Sequence, residues 1–256
     1  MKSLLAFTKK EITAQLRSTK LIILIALFVF FGVLSPVTAK ITPWLLEAMS
    51  EALEQGGITT APTTATVLDS WMQFFKNMSM CAIAFALIEG NIFTGEYGSG
   101  TLILSLTKGL PRHKVVIAKT AILAAVWTVV YWLCFAVTYF CNMIWWDNSV
   151  VPSLGLAVVC WWVFGLFVVA LITLFSTLFR SFIGALGFTG IVVLVFSLIS
   201  IAPIVANYLP TYLMTGTALI YSTAQPSDFL PSIIITIAAS IVCFAVSIPL
   251  FNKKQL

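Results

Sequence analysis

Charge is scarce in this sequence. Only 9% of the 256 residues are Asp, Glu, Lys or Arg, where a soluble domain carries roughly a quarter. Hydrophobic residues make up 60% and gather in long unbroken runs. A water-soluble core is thereby excluded, and the chain reads as an all-α polytopic membrane protein. Histidine occurs once, at His113, inside a basic run where it reads as solvated. There is no HExxH and no carboxylate pair within an apolar run, which argues against zinc hydrolysis and intramembrane proteolysis. No GxxxxGK[ST] is present either, so no phosphate loop is built here. Gly95, Gly98 and Gly100 have the wrong spacing for one, and no strand precedes them. They are expected to break a helix where it leaves the membrane. The five cysteines form no CxxC pair and read as small buried apolar side chains. The chain is expected to bind no cofactor of its own.

What is present is six apolar runs, at about Leu21–Val37, Trp71–Phe93, Val115–Trp145, Pro152–Phe179, Phe182–Val205 and Pro231–Phe251. Each is long enough, or nearly so, to cross a bilayer. Ser35-Pro36 is expected to end the first. Pro43–Gln55 is expected to form a separate short helix within an extracytoplasmic segment, 38–70, and 206–230 is a second such segment. Residues 1–20 read as an amphipathic interface helix, with Leu4, Leu5, Phe7, Ile12 and Leu16 at helical spacing and Lys9, Lys10, Gln15 and Arg17 between them. Met1–Lys20 with Val37-Thr38-Ala39 has some features of a cleavable signal. The basic part is long for that, and cleavage would leave an odd number of spans.

Lys and Arg set the orientation. Twelve of the fourteen fall on one side of a six-span layout, with only Lys40 and Lys76 on or near the other. Glu47, Glu51, Glu54, Asp69, Asp147 and Asp228 collect on that other side. Both termini are therefore expected in the cytoplasm. The net charge of +5 is an orientation signal and requires no nucleic acid. Most tryptophans read as an interfacial belt and lipid-facing packing. Ala82, Ala86 and Gly90 form a small-residue stripe for close helix approach. Glu89 is the one carboxylate well within an apolar run, either a helix-pairing or gating contact or a group reaching the headgroups.

The polar stretch Phe93–Lys119 organises the chain. Thr101 can cap a short helix there, Leu102, Ile103, Leu104 and Leu106 offer apolar contact, and Gly109-Leu110-Pro111 can end it. Arg112 and Lys114 can anchor on phosphates or on acidic residues of a partner. Glu96-x3-Gly100-Thr101, then Pro111-Arg112, then Lys119 opening a span, resembles the permease subunits of type-2 ATP-binding-cassette (ABC-2) exporters. So does the N-terminal helix with Lys9, Lys10, Glu11 and Arg17, and so does Leu34–Lys40 before an acidic outer helix. The resemblance implies a pair of permease subunits, alike or different, with two copies of a separate ATPase that holds ATP and Mg. It makes 94–114, with Glu96, Gly100, Thr101, Leu104, Pro111, Arg112 and Lys114, a cytoplasmic coupling loop and helix between spans two and three. Arg180 becomes a second cytoplasmic contact, and 206–230 a place for re-entrant helices. Two other readings stand beside it: an ion-coupled secondary transporter centred on Glu89, and a membrane immunity or assembly protein that binds without pumping.

Overall fold

The computed structural model describes residues 2–49, 64–99 and 111–254. Helix α1 spans Lys2–Leu16 and α2 spans Thr19–Ala48. Then come α3 (Val67–Glu89), the short α4 (Thr94–Ser99), α5 (Arg112–Trp145), α6 (Leu154–Leu178) and α7 (Phe182–Ile199). Two single turns, α8 (Pro203–Ala206) and α9 (Thr217–Ile220), flank a 3-10 turn at Pro210–Thr215, and α10 (Pro226–Lys253) closes the fold. Among the described residues there is no strand. Among the described residues six helices are long and apolar enough to cross a membrane: α2, α3 with its continuation to Tyr97, α5, α6, α7 and α10. The chain is a multi-pass all-α membrane protein.

Helix α6 is the axial rod. Its apolar window is 72% buried, against 11% for α7 and for α10, which leave most of their surface to lipid. Close approach makes this possible at Gly165, where an added Cβ would stand 2.0 Å from the Trp127 ring of α5. Around that contact Trp127, Phe28, Phe85 and Tyr131 stack edge to face or tilted, the arrangement ring quadrupoles favour. Trp71, Trp127 and Trp161 are buried core residues. The expectation of belt and lipid-facing packing holds for none of these three, because each indole N–H finds an internal acceptor, on Asn148, Trp162 and Met214.

Several boundaries differ from expectation. Ser35-Pro36 does not end the first span, since α2 runs on to Ala48 and absorbs the start of the expected Pro43 helix. Pro36 has no N–H for the Gly32 carbonyl one turn back. Thr138 of α5 donates to that carbonyl instead, at 2.9 Å, and Asn77 of α3 donates to Ser35 Oγ at 3.0 Å. Neighbouring helices thus repair the break, as in other membrane helices with internal proline. The rest of the expected outer helix lies outside the described residues. The second span breaks at Gly90–Phe93, ahead of the glycines at 95 and 98, which fall in α4. Helix α5 begins at Arg112, three residues before the expected start. Helix α7 stops at Ile199, and Pro203 opens α8. Helix α10 begins at Pro226, with Gln225 and Asp228 forming a capping box, so 226–230 belong to the span.

Candidate coupling end of the bundle

The contacts between helix ends give the spans alternating directions. Helix α1, the end of α3, α4, the start of α5, the α6–α7 turn and the end of α10 share one end of the bundle. Lys9, Lys10, Arg17, Lys20, Arg112, His113, Lys114, Lys119, Arg180, Lys253 and Lys254 belong to these segments. The opposite end carries the acids Glu47, Asp69, Asp147 and Asp228 beside Lys40.

Three faces of α1 follow from its 3.6-residue period. Leu5, Ile12 and Leu16 form an exposed apolar stripe. Beside it Lys9, Thr13, Arg17 and Lys10 form an exposed basic face. The third face, Phe7, Glu11 and Gln15, turns inward. Phe7 is buried with Phe93, Val115, Val116, Ala118 and Phe251, a small apolar cluster drawn from four segments. Above it stands the strongest charge arrangement in the described protein. Lys119 of α5, 1% exposed, places Nζ 3.0 Å from Glu11 Oε2 and 3.1 Å from Glu96 Oε1. A lysine this deep persists only when paired. The triad ties α1, α4 and α5 together. Lys10 adds a 3.5 Å contact to Glu11 from a largely exposed position.

Two further bonds extend the network. Gln15 Nε2 donates to Glu89 Oε1 at 2.6 Å, and Lys20 Nζ donates to Asn91 Oδ1. Glu89 is buried under α1 at the last residue of α3.

The C-terminal end is strapped to the same place. Arg112 Nη1 donates to the carbonyls of Phe251, Asn252 and Lys254 at the end of α10, where helical donors run out and, among the described residues, only Phe251 also accepts a backbone N–H, from Lys254. Lys254 Nζ donates to the carbonyls of Ser176, Thr177 and Phe179, at 3.3, 3.0 and 2.8 Å. It thereby satisfies the end of α6 and sits where the helix dipole favours a cation. The same ammonium lies 4.2 Å from the Tyr97 ring centre, and Tyr97 Oη donates to the Ser176 carbonyl at 3.0 Å. Burial, then the charge of Arg180, brings Lys254 down to about 8.

Of the residues singled out by sequence, the structure brings Glu11, Glu96 and Glu89 into one network and places Pro111 and Arg112 beside it. Pro111 is the extended residue before α5. Lys9, Lys10 and Arg17 are exposed on α1, Lys114 is half-buried, and Arg180 is exposed in the α6–α7 turn. Gly100, Thr101 and Leu104 lie outside the described residues. Lys119, Gln15, Tyr97 and Lys254 were missed as partners. A lysine deep in an apolar run, with only two glutamates on its side of the membrane outside the spans, was the available signal for the first.

No curated protein matches the chain. A family model described as ABC-2 family transporter protein matches residues 5–256. That match spans nearly the whole sequence and agrees with the six apolar helices, so the chain belongs to the ABC-2 family of transporter proteins.

Proposed function

We infer that this chain is the permease subunit of an ABC exporter. It forms the path across the membrane and is driven by a separate ATPase subunit, present in two copies, that binds ATP and Mg. A second permease subunit completes the assembly, in a cell inner membrane with both termini cytoplasmic. The observation that carries the reading is the buried Glu11–Lys119–Glu96 triad. The described residues that flank 100–110 are held at that knot, α4 through Glu96 on one side and Pro111-Arg112, beside the end of α10, on the other. A push on this segment reaches α1 and α5 through charged contacts and α6 and α10 through Tyr97 and Arg112. A coupling element requires that kind of rigid mounting.

The ion-coupled alternative has less support. Glu89 is occupied by Gln15 and covered by α1, which gives it a structural task at the helix end. The deciding experiment is purification of the tagged chain from its native membrane. A co-purifying chain with a GxxxxGK[ST] loop is expected. Gly100→Pro should leave that complex intact and abolish the permease's effect on its ATPase rate. Nucleotide-independent transport by the lone chain in liposomes would overturn the reading.

A further inference from the structure

A groove opens between α3, α6 and α7, away from the basic knot. Its lower part is a cavity of about 350 Å³ with almost wholly apolar walls, among them Trp161, Phe164 and Val168. That volume is in the range of small-molecule sites, roughly 300–1,000 Å³. Ile83, Leu87 and Leu194 form its lips and are strongly exposed, so the entrance faces hydrocarbon. The upper part is a second cavity of about 520 Å³ lined by Lys76, Tyr221 and Thr217. Ser79, Trp161 and Met214 line both, which makes the two parts one continuous slot.

Lys76 is the decisive feature. It lies within a membrane span and is exposed to the slot, and among the described residues none pairs with it. An unpaired cation at that depth is costly and marks a functional position by default. The hydroxyl of Tyr221 has only the Met72 sulfur at 3.7 Å as acceptor, a weak one, so it too has donating capacity to spare. From Lys76 to Ala86 the slot follows α3 for about 15 Å, at 1.5 Å per residue.

We propose that this slot binds an anionic amphiphile, with its phosphate or carboxylate head on Lys76 and Tyr221 and its apolar chain in the cavity between α3 and α7. The lateral apolar mouth admits the chain from the bilayer, and the lone ammonium selects the head. Calling this ligand cargo rests on the exporter reading, whereas the binding itself needs no ATPase.

The test uses the full chain in phosphatidylcholine nanodiscs with three photoactivatable single-chain probes: a fatty acid, a lysophosphatidic acid and a lysophosphatidylcholine. Labelled residues are mapped by mass spectrometry. The two anionic probes are expected to label 83–87 and 190–194 about fivefold above the zwitterion, the scale of one charge contact. Lys76→Gln should abolish that preference while retaining apolar labelling, and Lys76→Arg should keep it. The ratio of fatty acid to lysophosphatidic acid labelling separates a carboxylate source from a phosphate source. Equal labelling by all three probes, or a preference unchanged in Lys76→Gln, overturns the proposal. So does an unlabelled slot whose residues crosslink to a second copy of the chain. Because nucleotide is absent throughout, these outcomes leave the coupling reading to stand or fall by its own experiment.

Discussion

The two ends of the bundle are fastened by different physics. At the basic end, charges reach across long stretches of chain: Lys119 to Glu11 and Glu96, Arg112 and Lys254 to main-chain carbonyls. At the opposite end the ties are neutral. Trp71 Nε1 donates to Asn148 Oδ1 at 3.1 Å, Asn148 Nδ2 donates to the Tyr139 carbonyl, and Ser70 Oγ donates to Asn142 Oδ1 at 2.7 Å. The acids there cap local structure. Asp69 closes a capping box with Thr66. Asp147 is held below the usual carboxylate range by the backbone N–H and the hydroxyl of Ser149. Neutral bonds in a packed end are short-ranged and hold one geometry. Charged groups on long side chains act at greater distance.

Breaking the basic end at its centre should have the largest effect. Lys119→Met leaves Glu11 and Glu96 without their buried cation, with only the largely exposed Lys10 beside Glu11, and removing one member of a buried ion pair costs about 3–5 kcal/mol. Thermal unfolding of the detergent-purified protein should show a large fall in midpoint. Adding Glu11→Gln and Glu96→Gln should recover much of it, since the uncompensated charges are then gone. A single Lys119→Met variant as stable as the parent would mean that the triad holds nothing.

The opposite end should respond more mildly. Asn148→Ala removes the acceptor of the Trp71 indole and the donor to the Tyr139 carbonyl, leaving a buried N–H unpaired, for about 1–3 kcal/mol. The same thermal assay checks the size. The contrast sharpens with salt. Screening weakens interactions between exposed charges far more than neutral bonds, so Lys10–Glu11, with Lys10 largely exposed, should contribute less at high ionic strength while the Asn148 variant keeps its deficit. An Asn148→Ala penalty that vanished in high salt would erase the distinction between the ends.

Much of the frame was legible in residue order. Apolar run length gave six spans because a bilayer has one thickness, and the distribution of Lys and Arg put eleven described cations on segments that meet at one end. The partners were not legible, for identifiable reasons. Glu11 and Lys119 stand 108 residues apart, and nothing local to either says which inward face it occupies. Pro36 reads as a stop until the Thr138 hydroxyl is placed beside Gly32. Trp127 and Trp161 read as lipid-facing residues of their spans because a tryptophan facing lipid and one in the core look alike in sequence. Only packing, here the bare backbone of Gly165 under Trp127, separates them.

The smallest expected effect concerns the strap. The Lys254 ammonium, about 8 when docked, would sit near 10.5 in an open chain. Between those values the undocked segment holds more protons than the docked one. By linkage, docking therefore strengthens as pH rises from about 8 toward 10.5 and is level below 8. The ammonium is half-buried and partly screened by water, so the slope is shallow. Lys254→Met loses both the slope and the cap on α6. The difference in thermal midpoint between the parent and Lys254→Met should then widen from pH 8 to pH 10, all other titrating groups being common to both. A difference that narrows over that interval would mean that the three carbonyls and the Tyr97 ring hold the cation more strongly than burial and Arg180 oppose it. The basic end would then be clamped by Lys254, with no freedom to release the strap.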